Sequence, residues 1–256
     1  MLGKHHLILS LFTAAILVVP YFLQYPELTL LVVIGIAIGS LVPDADSPDA
    51  AIFHEKVKGV KGELGQLING LIAPLFPIFG YTTKYLVYKP AVYVFGRTLL
   101  KNYNIEERHR GFLHSFLGVG TATVLTGIYA FVVLYLLDLF SFVYFMAFVL
   151  SYTSGALLHL VEDSATVTGT QFNYPFSEFR VSGDLITKPD FARSSDIFAS
   201  ILVIIAGILF FLTILEYIPY SNWVITLFFV IFLILCWTIF LVFVAKVRIE
   251  RGGIKT

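Results

Sequence analysis

The chain of 256 residues is 58% hydrophobic and only 13% charged, and its mean hydropathy of +0.86 lies far above that of an ordinary water-soluble domain. Net charge is zero, so nothing in the charge balance points to nucleic acid or another polyanion. The single Cys236 excludes a disulfide framework and a cysteine zinc cluster.

In chain order, apolar runs at 7–25, 28–42, 112–137, 139–161, 197–217 and 222–246 predict six transmembrane helices in a polytopic, all-α bundle. Lys4 ahead of the first run imitates a signal peptide, but Pro20, Tyr21 and Phe22 occupy the place of a cleavage site, so this run is expected to be a mature helix. Between the second and third runs, residues 55–108 alternate Lys and Gly with apolar clusters and are interrupted by Pro74, Pro77 and Pro90. They read as an interfacial or re-entrant helical insertion; the competing reading is two further spans, which leaves the rest unchanged. No internal repeat or heptad is visible, and residues 1–256 read as one membrane domain.

With six spans, all 17 Lys and Arg residues fall on one side: Lys4, nine from Lys56 to Arg110, Arg180, Lys188, Arg193, and four from Lys246 onward. The opposite loops, around Glu27, Asp138 and Glu216, contain none. The positive-inside rule then predicts a multi-pass protein of a prokaryotic cell membrane with both termini cytoplasmic.

The six histidines, His5, His6, His54, His109, His114 and His159, all fall on that same side, with carboxylates beside them. Four groups stand at the ends of four consecutive spans: KHH at 4–6, PDADSPD at 43–49, HRGFLHS at 109–115 and HLVED at 159–163. Each has an ordinary reading. Asp44 and Asp46 suit a turn after Pro43, a lone His at an interface is hydrated by headgroups, and Arg110 can snorkel to lipid phosphate. HLVED resists this, because His159 and Asp163 share one helical face about 6 Å apart along the axis. Buried ionisable groups at a span end are costly unless paired or bound to metal, and four coincidences at one depth are less economical than one shared site.

Imidazole and carboxylate without thiolate suit zinc, with manganese or iron(II) as alternatives, better than calcium. The donors suffice for one or two ions, and a two-ion site favours in-line displacement at a phosphoester. Arg110 is then expected to fork onto phosphate oxygens.

The order of an N-terminal His, PDAD, HRGFLHS and HLVEDSATVTGTQFNYPF resembles the LexA-binding, inner-membrane-associated hydrolase family, also labelled membrane-bound metal-dependent hydrolases. The resemblance runs over nearly the whole chain. It marks His6, Asp44, Asp46, His109, Arg110, His114, His159 and Asp163, with His6 preferred to His5 because it stands two residues before Ile8. It implies metal ligation by His6, Asp44, His109, His114, His159 and Asp163, and a bridging or general-base role for Asp46. Arg110, Tyr174 of the Tyr-Pro pair and Arg180 are the substrate-binding candidates. Ser47 departs from a frequent His or Asp, leaving one ligand missing or supplied by Glu162, and Asp196 replaces a Glu that opens the next span. A more distant similarity is to bacterial zinc phospholipase C and fungal zinc nucleases, at the level of fold only.

The expected activity is therefore hydrolysis of a phosphoester in a lipid or lipid-linked substrate, with membrane lipid as the surrounding partner and homo-oligomer formation left open. Transport of a metal or small solute is the second class; it calls for ionisable residues near mid-membrane, where the spans offer only Thr121, Thr123, Ser151, Tyr152 and Ser154. A non-catalytic anchor or regulatory partner is the third, and it has no need of convergent ligands. FHEKVKG lacks the second His of a zinc protease motif, and GVKGELG lacks the ending of a phosphate loop.

Overall fold

Among the described residues, six helices are long and apolar enough to cross a membrane, Gly3–Tyr21, Pro26–Asp46, Phe116–Leu136, Phe142–Ser164, Arg193–Ile214 and Val224–Val244, in a computed structural model. It describes residues 3–59, 62–98, 100–103, 105, 107–188, 192–218 and 223–252. The first span takes in His5 and His6, and the fourth continues through Glu162 and Asp163. Polar residues expected at the borders of the apolar runs thus lie within the helices, where His6 and Glu162 pair in the interior and Asp163 pairs with Arg110, while His5 reaches the exposed Asp196.

Helix α1 (Gly3–Val18) is followed by α2 (Pro26–Gly39). Pro26 opens α2 where its missing N–H costs nothing, and Glu27 in the first turn complements the helix dipole. The chain then tightens into a 3-10 turn, Pro43–Asp46. Residues 62–97 are helical in short pieces: α3 (Gly62–Leu67), α4 (Phe76–Thr82) and α5 (Lys89–Arg97), joined by π and 3-10 turns. Pro74, Pro77 and Pro90 each fall in the first turn of a piece, where no backbone donor is needed. This insertion contains no span-length helix and lies along α6 (Phe116–Leu136), whose Tyr129 hydroxyl donates to Leu86 O at 3.0 Å. Ser115 caps α6, accepting from Gly118 N–H at 3.1 Å. Helices α7 (Phe142–Ser164), α8 (Arg193–Ile214) and α9 (Trp223–Ile239) complete the bundle.

Helices α2 and α7 cross in close backbone contact. A Cβ at Gly35 would strike Ser151, one at Gly39 the Tyr152 backbone, and one at Gly155 the Ile36 carbonyl. The small-residue pairs Gly35/Gly39 and Ser151/Gly155 thus let the backbones meet, as helices in lipid require when no hydrophobic force drives them together. Helix α1 lies between two buried clusters, with Leu7 and Leu11 in one and Leu9 and Ile16 in the other. His6 therefore faces the centre of the bundle.

A two-stranded antiparallel ribbon adds to the all-α expectation. Strand β1 (Phe179–Ser182) pairs with β2 (Arg248–Arg251), Phe179 opposite Arg251 and Ser182 opposite Arg248. Thr170 and Val181 form a further antiparallel bridge, which pins the segment after α7 over the end of that helix.

Candidate metal centre

The four groups at the span ends meet. Asp44 comes from the turn after α2, His114 from a 3-10 turn before α6, and His159 and Asp163 from the last turns of α7. His114 Nε2 lies 3.3 Å from His159 Nε2. Asp44 Oδ1 is 3.5 Å from His114 Nε2 and 3.6 Å from His159 Nε2, and Asp163 Oδ2 is likewise 3.5 and 3.6 Å from these nitrogens. Donors about 2.0–2.2 Å from a tetrahedral ion stand about 3.3–3.6 Å from one another. Within Asp44, His114 and His159 the observed spacings match, so these three residues fit such an ion, and His6, His159 and Asp163 form an adjoining three-donor group that shares His159.

The outer faces of the rings are also arranged. His159 Nδ1 donates to Ser40 O at 2.7 Å, which leaves Nε2 as the lone-pair nitrogen of the neutral ring. Ser40 follows Gly39 directly, so the α2/α7 crossing delivers this carbonyl. His6 Nδ1 donates to Glu162 Oε2 at 2.6 Å, and Ser10 Oγ donates to the other Glu162 oxygen at 2.8 Å. His6 Nε2, buried and without a well-formed hydrogen bond, stands 3.4 Å from Asp163 Oδ1. The His6 ring stacks on His159 with centroids 3.8 Å apart. His114 Nδ1 stands 3.2 Å from Asp46 Oδ2. Burial alone lowers the basicity of His114, but the Asp46 charge and the contacts with Asp44 and Asp46 outweigh it and raise its pKa to about 9.

Asp46 therefore sits behind His114, at its Nδ1, rather than with Asp44 at its Nε2. Its Oδ1 accepts from His109 Nδ1 at 2.8 Å and its Oδ2 from the Arg110 N–H at 3.1 Å. His109 is half exposed, whereas His6, His114 and His159 are fully buried. The expected single ligand set is thus divided: His6, Asp44, His114, His159 and Asp163 surround the centre, while His109 and Asp46 form a pair at its rim. Asp46, His109 and His114 still come near enough together to form a third donor group.

Arg110 differs from its expected role. Its guanidinium is buried and donates to Asp163 Oδ1 at 2.9 Å and to Thr166 Oγ1 and Gly169 O at 3.1 Å each. Its backbone holds a left-handed φ of 59°, a conformation that costs a non-glycine residue energy and is held by these bonds. It acts on the Asp163 carboxylate. Arg180 likewise is committed to Thr168 O at 3.1 Å and to Glu250 of the ribbon. Tyr174 is buried under the Arg108 guanidinium, 4.9 Å from its ring centre. His5 is drawn away to Asp196 at 2.8 Å, which Lys4 also reaches at 3.1 Å. Glu162, expected as a substitute ligand, holds His6 instead. Ser40 and Ser10 were not legible as site residues; for Ser40 the signal is the Gly35-x-x-x-Gly39 spacing just before it.

Fold and site define a polytopic helical membrane protein with a buried histidine and aspartate donor set at one end of its bundle. The chain belongs to the YdjM inner membrane protein family, which matches residues 1–247. The family match supports the inner-membrane part of the resemblance and is silent on hydrolysis and on LexA. Neither the curated proteins nor the solved structures give a match.

Proposed function

We propose that this protein is a metal-dependent hydrolase of the inner membrane that cleaves a phosphoester in a lipid or lipid-linked substrate. The observation that carries the reading is the pair of three-donor groups that share His159, namely Asp44, His114 and His159, and His6, His159 and Asp163, with the His159 ring oriented from behind by Ser40 and that of His114 faced by Asp46. Zinc suits this donor set best, manganese next. Asp44, His114 and His159 would hold a divalent cation, with His6 and Asp163 beside them, and such an ion would supply Lewis acidity toward a water and a phosphoryl oxygen. Asp163 turns one oxygen to His6 and the other to His114 and His159, so its carboxylate is able to serve two ions.

The residues of the chain supply the rest. Arg110 and Ser40 hold Asp163 and His159 in orientation, Glu162 does so for His6, and Asp46 for His109. His109, with Nδ1 on Asp46 and its ring half exposed, is the group suited to hand a proton to the leaving oxygen. By the positive-inside rule the site faces the cytoplasm. A transporter would call for ionisable side chains along a path through the bundle, whereas the donor set is gathered at one end.

Elemental analysis of detergent-purified protein tests this reading, wild type beside Asp44→Ala and His114→Ala. One or two zinc or manganese ions per chain, lost in both variants, are expected, followed by phosphate or headgroup release from phospholipid. A folded wild type that takes up no metal overturns it.

A further inference from the structure

A groove of about 540 Å³ runs between α5 and the first half of α6. Ala91, Val94 and Phe95 form one wall and Gly120, Val124 and Leu125 the other. Thr121 also lines it, but its hydroxyl is turned back onto Leu117 O at 2.8 Å, so the groove presents almost no polar atom. Its depth is made by an absence of side chain, for a Cβ built on Gly120 meets nothing within 4 Å.

The groove is placed by the same turn that carries a site residue. Phe116, which lines one end, follows His114 by two residues, and Phe95 packs on Phe112 with ring centres 5.8 Å apart. Phe112 begins the 3-10 turn that ends on His114. From Phe116 to Leu125 the helix rises roughly 14 Å, at about 1.5 Å per residue, which is about half the ~30 Å hydrocarbon layer. The groove therefore starts two residues from His114, runs for about half the thickness of a hydrocarbon layer, and lies along a helix long and apolar enough to span a membrane.

We infer that this groove holds one acyl chain of the substrate, with the phosphoester headgroup at the His114 end, which makes the substrate a long-chain phospholipid of the leaflet that borders the site. The inference rests on the hydrolase reading for the headgroup and on the groove itself for the chain. Length and the absence of polar atoms select an acyl chain over a polar headgroup or a soluble phosphoester. The open side of the groove lets the chain enter sideways from the bilayer without leaving hydrocarbon.

The test fills the groove. Gly120→Phe introduces a ring into open space, and Ala91→Phe approaches it from the other wall. Activity on a long-chain phospholipid in mixed micelles should fall roughly tenfold or more, the effect of keeping about two methylenes out of an apolar site. Activity on the water-soluble bis(p-nitrophenyl) phosphate and the bound metal should stay at the wild-type level. Equal loss on both substrates, or no loss on either, overturns the inference. A phospholipid with a diazirine on its acyl chain gives a readout independent of turnover. Labelling should concentrate in residues 90–97 and 116–125 and fall there in Gly120→Phe, with labelling of α8 unchanged. Even labelling of the whole apolar surface, or cross-links between two protein chains in the groove, would refute it. A wild type that labels as expected but hydrolyses neither substrate refutes the hydrolase reading and leaves a lipid site.

Discussion

His114 and His159 aim their Nε2 atoms at each other across 3.3 Å in a fully buried site. The Nδ1 proton of His159 is committed to the Ser40 carbonyl, so two neutral rings with Nδ1 protons would set lone pair against lone pair. A proton or a cation resolves that contact, and the choice between them can be read by titration.

The pKa of His114 is raised from 6.5 to about 9. A group raised on folding contributes stability that is fully present below its unfolded pKa and is lost as pH rises through the folded one. The metal-free protein should therefore lose on the order of 3 kcal/mol between pH 6.5 and 9, while a bound cation takes the place of the proton and removes the loss. Thermal unfolding in detergent at pH 6.5, 7.5 and 9, with chelator or with zinc, checks this; a flat midpoint in chelator would contradict it.

Glu162 holds His6 through its Nδ1 and is itself held by Ser10. Replacing an outer partner of a metal-binding histidine typically weakens metal affinity by about 10–100-fold. Glu162→Ala should show a loss of this size by chelator competition, and Ser10→Ala a smaller one. Unchanged affinity in Glu162→Ala would remove His6 from the centre.

His109 and His114 differ by only five positions in the sequence, yet the first is half exposed and the second buried. His109→Ala should keep its metal and lose about 10²–10⁴-fold in hydrolysis of substrates with poor leaving groups. The loss should be smaller with a p-nitrophenolate leaving group, which departs without a proton. Loss of metal from His109→Ala would make it a ligand of the third donor group.

Gly39 lies against the Tyr152 backbone. Gly39→Val should push α2 from α7, destabilise the protein by roughly 1–3 kcal/mol, and weaken metal binding by pulling Ser40 O off His159. Circular dichroism melts with a chelator titration measure both effects. A destabilised variant with wild-type affinity would show that the Ser40 carbonyl does not orient the ring.

The sequence by itself determined the six spans and pointed to a gathering of His6, Asp44, Asp46, His109, His114, His159 and Asp163 at one end. Hydrophobic length is one-dimensional, and consecutive spans alternate direction, so groups at alternate helix ends must share a side. It also distinguished the insertion, read as 55–108, because Pro74, Pro77 and Pro90 forbid one long regular helix there. Only the tertiary structure decided which atoms converge. Asp44 and Asp46 are equivalent as letters, but the 3-10 turn sends one carboxylate to the His114 and His159 Nε2 atoms and the other behind His114. Arg110 turns inward onto Asp163, and Arg180 meets Glu250 across 70 positions of chain. These outcomes depend on side-chain direction and on the α2/α7 crossing. A glycine pair permits that close approach, but where it brings Ser40 O relative to His159 is a property of the packed helices.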